Sequence, residues 1–246
     1  MLEQATRPAI ETPIETVVAE RAARPAFRPV RPLRGLTFVG PIAPTSDLES
    51  FLKRAFDLAV ALPALVVLGP LMIAVAIAIR LDSPGPIFIV QERVSRGLRK
   101  FRMYKFRSMV QNADELIPSL QALNEATPPL FKIRNDPRIT KLGRRLRKLS
   151  IDELPQLFNV VRGDMSIVGP RPPFMHEVVQ DQWRQSMRLR HAPGMTGLWQ
   201  ISGRSDLTYE EMVDLDLRYV RDWSFWMDLS ILLRTPSVVV KGRGAR

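Results

Sequence analysis

The 246-residue sequence contains no cysteine. Disulfides, thiolate nucleophiles and cysteine-based zinc sites are therefore excluded. Histidine is almost as scarce: only His176 and His191 occur. That is poor material for a His-rich metal site, so any metal is expected to be a hard ion held by carboxylates. The opening MLEQATRPAIETPIETVVAE has no apolar h-region, which argues against a signal peptide. The next stretch, RAARPAFRPVRPLRGLTFVGP, has no acid, and five arginines fall between Arg21 and Arg34. Residues 1–46 are expected to form a disordered, semi-extended Arg/Pro-rich tail able to touch anionic lipid, or simply a solvated one. No internal repeat is present.

What the chain does have is positive charge and apolar bulk. The net charge of +11 predicts anionic partners, whether nucleic acid, acidic lipid headgroups or phosphorylated substrates. A hydrophobic content of 46% is enough for a core. IFIVQERVSRGLRKFRMYKF reads as a β-hairpin turning around Gly97. Residues 108–130 look helical, as do KLGRRLRKLSIDELPQLFNVVRG and EVVQDQWRQSMRLRH, and the long stretch from Leu207 to Val240. SIVGPRPPF reads as a rigid loop and APGMTGLWQISGR as a glycine-rich one. The fold class expected is mainly α (α+β). Three parts follow: the tail, an apolar helical segment over 47–82, and a third part over 83–246.

LAVALPALVVLGPLMIAVAIAI, Leu58 to Ile79, carries no charge. As a helix it would be about 33 Å long, close to a hydrocarbon core of roughly 30 Å. Basic residues stand at both ends, Lys53 and Arg54 before and Arg80 after, and the positive-inside rule wants both on one side. Gly69-Pro70 lies at the centre, where proline withholds an N–H and glycine lets the backbone turn. A re-entrant helix-break-helix reconciles length, charge and break, making the chain monotopic with amphipathic interfacial helices. A kinked single span and a buried soluble helix are the alternatives.

Two adjacent carboxylates, Asp152 and Glu153, follow a basic run with eight Lys or Arg and one Asp between Lys132 and Lys148. Such a pair can hold Mg²⁺ bridged to substrate phosphates, and a carboxylate can attack phosphorus. Arg171 stands between prolines in GPRP, stiffened for bidentate phosphate binding. The plainer reading makes Asp152 and Glu153 the N-terminal acids of a helix capped by Ser150.

These motifs resemble the bacterial sugar transferase family, the monotopic polyprenyl-phosphate phosphoglycosyl transferases. The resemblance runs from about Lys53 to the end. It rests on KRAFDLAVALPALVVLGPLMI, GPIFIVQERVSRGLRKFRMYKFRSM, LRKLSIDELPQLFNVVRGDMSIVGPRPP, APGMTGLWQISGR and LDLRYVRDWSFWMDLSILL, in family order. Gly69-Pro70 departs from the Ser-Pro often found there.

The resemblance implies that Asp152 is the nucleophile and Mg²⁺ ligand, with Glu153 completing the dyad. Lys105, Arg147, Arg171 and Arg204 are then the phosphate-binding cations, and Asp216 is a supporting residue. Bland roles exist for each: Lys105 on a solvated hairpin face, Arg147 at lipid headgroups, Arg204 capping a loop, Asp216 pairing with Arg204 or Arg218. The implied substrates are a UDP-sugar, with UDP-glucose or UDP-galactose expected, and undecaprenyl phosphate, at the cytoplasmic face of the bacterial inner membrane in exopolysaccharide or related glycan synthesis. Membrane lipids are expected partners and nucleic acid is not; a homodimer is left open. The contrasting reading is a membrane-anchored basic module that binds nucleic acid or acidic lipid.

Overall fold

The computed structural model describes residues 47–125 and 131–242, so the expected tail lies outside the described residues. The chain is mostly helical. Its first element is one 36-residue helix, α1 (Asp47–Asp82), with Asp47 and Glu49 in the first turn and Arg80 in the last, as the helix dipole favours. The break expected at Gly69-Pro70 is not a break in secondary structure: α1 runs through both Pro63 and Pro70. Each proline removes only one rung of the hydrogen-bond ladder, and packing on both sides of Pro70 holds the helix together. Ala61 is buried against one core with Leu157 and Tyr219, while Met72, Val75 and Ile79 are buried against a second with Phe106 and Leu146.

Both ends of α1 are tied to the same body. Near its start, the Arg54 guanidinium donates to the carbonyls of Val160 and Val161 at 2.5 and 2.7 Å. Lys53 donates to the Val168 carbonyl at 2.9 Å and pairs with Asp228 at 2.6 Å. At its end, Arg107 donates to the carbonyls of Ser83 and Pro84, both at 2.7 Å. The other face of α1 is apolar and open: Leu62, Val66, Val67, Ile73, Ile77 and Leu81 are exposed, Val66 to 78% and Leu81 to 82%. A helix long and apolar enough to cross a membrane, with so bare an outer face, is a membrane-associated element rather than a core helix.

The expected hairpin is present. Strands β1 (Phe88–Val94) and β2 (Lys100–Phe106) pair antiparallel, with Phe88 opposite Phe106 and Val94 opposite Lys100. Its turn carries Gly97 at φ 67°. Residues 108–125 form turns and a short 3₁₀ segment instead of the expected helix. Helices α2 (Lys141–Lys148) and α3 (Gln156–Arg162) are separated by a 3₁₀ turn over Ile151–Glu153. Pro155 has no N–H for a continuing ladder, which suits it to the start of α3.

The two stretches read as loops are joined by a pairing that local patterns do not announce. Strand β3 (Ser166–Val168) pairs in parallel with β4 (Gly194–Thr196). A Cβ on Gly194 would fall 2.1 Å from the Gly169 nitrogen, so this crossing of backbones needs glycine. Around it lie α4 (Met175–Gln180), α5 (Gln182–Arg188), α6 (Leu198–Ser202), α7 (Tyr209–Arg221) and α8 (Phe225–Lys241). The long helical stretch thus divides after Arg221, where Ser224 caps α8 by accepting from the Met227 N–H.

Candidate active site

Asp152 and Glu153 sit in the turn between α2 and α3, and that turn is unusual. Ser150, which precedes it, has φ 53°, a left-handed conformation uncommon for a residue with a side chain. Arg204 is also left-handed, at φ 55°, and its guanidinium donates to the Ser150 hydroxyl across 54 residues. Two strained residues therefore brace each other beside the carboxylates, a cost that structures tolerate at functional sites.

A cavity of about 190 Å³ opens over this turn. The carboxylates and all four cations expected from the sequence line it, delivered by separate segments: Lys105 from β2, Arg147 from the last turn of α2, Arg171 from the turn after β3, and Arg204 from the end of α6. Arg93 from β1 makes a fifth cation that sequence reading missed, along with Gln156, Trp199 and Gln200. The cavity therefore sets five cationic side chains against two carboxylates. Four of these lining groups are buried and left with open hydrogen-bonding capacity: Arg93 Nε, Trp199 Nε1, Gln200 Oε1 and Arg204 Nη1. Buried polar atoms are normally paired, so such a cluster marks a place for a polar ligand.

The two carboxylates differ in environment. Lys105 Nζ binds Glu153 at 2.6 Å. Burial alone would raise the Glu153 pKa, but Lys105, Arg204 and Arg147 together hold it below the usual range. Asp152 is only 8% exposed. Burial, reinforced by the negative charge of Glu153, pushes its pKa up to about 6 against the opposing pull of Lys105 and Arg147. The first proton taken up by the pair thus goes to Asp152.

Arg171 is positioned by a buried network. Its guanidinium bonds both oxygens of Glu177 at 3.1 and 2.8 Å, and its backbone N–H donates to Asp216 at 3.1 Å. Arg188, fully buried, donates to the same Asp216 oxygen at 2.6 Å and to the Arg171 carbonyl at 3.1 Å. Asp216 therefore supports the GPRP turn without lining the cavity. Its partner is Arg188, and not Arg204 or Arg218 as the plainer alternative had it; Arg218 lies exposed with its Nε 3.9 Å from Asp222. Arg93 donates to the Pro172 carbonyl at 3.0 Å and stacks 3.3 Å over the Phe174 ring, fixing the other side of the turn. His191 is boxed in by Tyr219 and Trp223, away from the cavity.

The profile of the family described as "Bacterial sugar transferase" matches residues 48–242, and the chain belongs to that family. Among curated relatives, "Galactosyl transferase CpsE" of Streptococcus agalactiae is 47% identical over 195 residues, covering 79% of this chain and 43% of the relative. "Exopolysaccharide production protein ExoY" of Sinorhizobium fredii is 41% identical over 210 residues, covering 84% of this chain and 92% of the relative. "Undecaprenyl-phosphate glucose phosphotransferase" of Komagataeibacter xylinus is 41% identical over 216 residues, covering 82% and 38%. The chain thus spans less than half of two of these proteins and nearly the whole of the ExoY protein.

Proposed function

We propose that the chain transfers a sugar 1-phosphate from a UDP-sugar to undecaprenyl phosphate, releasing UMP, as an opening membrane step of exopolysaccharide or related glycan synthesis. The observation that carries this is the single cavity in which Asp152 meets cations from four or more separate segments and four unpartnered buried polar atoms. A diphosphate fits that charge and a nucleotide fits those open donors and acceptors. The relatives named for galactosyl transfer and glucose phosphotransfer support UDP-galactose or UDP-glucose as the donor.

In this reading an Asp152 carboxylate oxygen attacks the β-phosphorus. The bond from that phosphorus to the bridging oxygen breaks, and UMP leaves with the oxygen. The product is an aspartyl phosphosugar. A phosphate oxygen of undecaprenyl phosphate then attacks the same phosphorus, and the Asp152 carboxylate departs unchanged. Arg147, Arg171 and Arg204 stabilise charge on the phosphoryl oxygens, and Lys105 does so while keeping Glu153 ionised. Among the described residues no group of three metal-ligating side chains occurs. Mg²⁺ suits such a site, since it commonly binds one or two carboxylates plus substrate phosphates; held by Asp152 and the diphosphate, it would offset repulsion between nucleophile and donor.

The membrane arrangement belongs to the same reading. The anchoring of both ends of α1 to one body supports a helix whose two ends lie at the cytoplasmic face of the inner membrane, bent at its prolines rather than broken, which brings a soluble donor and a lipid acceptor to one centre. Single cysteines at Ala43 and Lys141 should both label from the cytosolic side; labelling from opposite sides would establish a span. For the reaction, purified protein with Mg²⁺, undecaprenyl phosphate and a panel of UDP-sugars should release UMP, fastest with UDP-galactose or UDP-glucose. No UMP with any UDP-sugar would refute the proposal. A basic module that only binds nucleic acid or acidic lipid leaves the buried Asp152 without a purpose.

A further inference from the structure

A second cavity, about 530 Å³ and almost wholly apolar, lies between α1 and α8. Val60, Ala64 and Leu68 form one wall, spaced four apart on one face of α1. Leu232, Pro236 and Val239 of α8 form the other. The one hydroxyl on that wall is already engaged: Thr235 donates to the Ile231 carbonyl at 2.8 Å and meets the Thr196 hydroxyl at 2.8 Å. Five residues line both this cleft and the catalytic cavity: Ser150, Glu153, Met195, Gln200 and Arg204. The cationic chamber and the apolar cleft therefore abut, with Arg204 and Glu153 at the junction. The outward sides of both helices are bare and apolar, with Val66 and Val67 on α1 and Trp226 and Leu233 on α8. The cleft thus lies between two lipid-facing surfaces and ends at the phosphate-binding centre.

We propose that this cleft seats the isoprenoid units of the lipid acceptor nearest its phosphate, so that α1 and α8 grip the start of the tail and aim the phosphate at Asp152. The inference rests on the transferase reading for the identity of the acceptor. Its physical content is separate: an amphiphile with an anionic head and an apolar chain matches a cationic chamber opening into an apolar groove, as ligand sites combine apolar walls with a few placed polar groups. The α8 wall is then a determinant of acceptor binding, acting on the acceptor and not on the UDP-sugar.

Two measurements decide it. First, wild-type protein in nanodiscs is photolysed with a diazirine-tagged C15 prenyl phosphate and the adducts are mapped. Adducts should fall within 60–68 and 232–240 and be competed by undecaprenyl phosphate but not by phosphatidylglycerol. Adducts elsewhere, or equal competition by phosphatidylglycerol, overturn the proposal. Second, Val239→Trp and Ala64→Trp, which fill the cleft from opposite walls, should each raise the KM for undecaprenyl phosphate about tenfold or more, with the UDP-sugar KM unchanged. Leu233→Trp, on the exposed side of the same helix, should leave both constants alone. Wild-type acceptor KM in both cleft variants would overturn the proposal. Wild-type protein inert with every UDP-sugar would instead overturn the transferase reading, while the adduct map, which needs neither turnover nor a folded variant, would still decide the cleft.

Discussion

Two of the clusters of charge in this molecule, one at the start of α1 and one around Asp152, are built to opposite ends. At the start of α1, Lys53 pairs with Asp228, which also accepts from the Tyr219 hydroxyl at 2.7 Å and from Trp223 Nε1 at 3.2 Å. Asp57 accepts from the Ser166 hydroxyl at 2.8 Å and the Ile167 N–H at 2.9 Å. None of these side chains is left unpartnered among the described residues. The cluster is closed on itself and fastens α1 to β3 and α8. In the cavity around Asp152, by contrast, cations converge without closing the network, and four buried polar atoms have no partner among the described residues. Saturated charge anchors; unsaturated charge waits for a ligand. The two places differ in hydrogen-bond completion.

Breaking each cluster should therefore fail differently. The largest effect is expected from Asp152→Asn, which removes the proposed nucleophile while keeping the shape: UMP release should fall by more than about 10³-fold. Next, Arg204→Ala and Lys105→Ala should lower kcat/KM by about 10²-fold each, as removal of one charge-stabilising donor does. Both should retain folded circular dichroism; collapse of the fold would erase the distinction drawn above. Lys53→Ala should act the other way. It leaves Asp228 buried and uncompensated, at a cost of about 3–5 kcal/mol, so yield and melting temperature should drop while the surviving folded fraction keeps near-normal KM for the UDP-sugar.

The smallest effects concern protonation. Because the proposed attack needs Asp152 ionised, kcat/KM should rise with pH through a midpoint near 6. The same raised pKa has a stability consequence of opposite sense. Between about pH 4 and 6 the folded state holds a proton on Asp152 that the unfolded chain has released, so stability falls as pH rises through that window. Asp152→Asn should thus be more stable than the wild type at pH 8, by on the order of 2–3 kcal/mol, with the gain vanishing below about pH 4. Thermal melts at pH 4 and pH 8 test this, and an inactive variant no more stable than wild type at pH 8 would show that Asp152 is not destabilised by its surroundings.

How much the sequence disclosed depended on distance along the chain. The hairpin followed from local alternation and Gly97, and the long apolar helix from composition. Asp152, Glu153, Lys105, Arg147, Arg171 and Arg204 were found because they stand in motifs, and the structure brings all six to one cavity. Arg188 and Glu177 were not found, since nothing in EVVQDQWRQSMRLRH marks two of its charges as buried partners of Arg171 and Asp216. The β3–β4 pair was missed for the same reason: three-residue strands 28 positions apart leave no periodic trace. The break at Gly69-Pro70 was overestimated because residue preference ignores the packing of Ala61 and Met72 on either side. For Asp216, LDLRY offers only the adjacent Arg218 as a local partner, whereas α5 delivers its real one, Arg188.

The proposed mechanism requires Asp152 to become covalently bound to the phosphosugar. The most direct test incubates the protein with Mg²⁺ and UDP-galactose or UDP-glucose in the absence of acceptor, quenches in acid, and measures UMP together with the mass of the peptide spanning Asp152. UMP in amounts matching the protein, a hexose phosphate on that peptide, loss of both in Asp152→Asn, and discharge of the adduct on adding undecaprenyl phosphate are expected. UMP formed only when acceptor is present, with the Asp152 peptide unmodified throughout, would contradict the proposed mechanism.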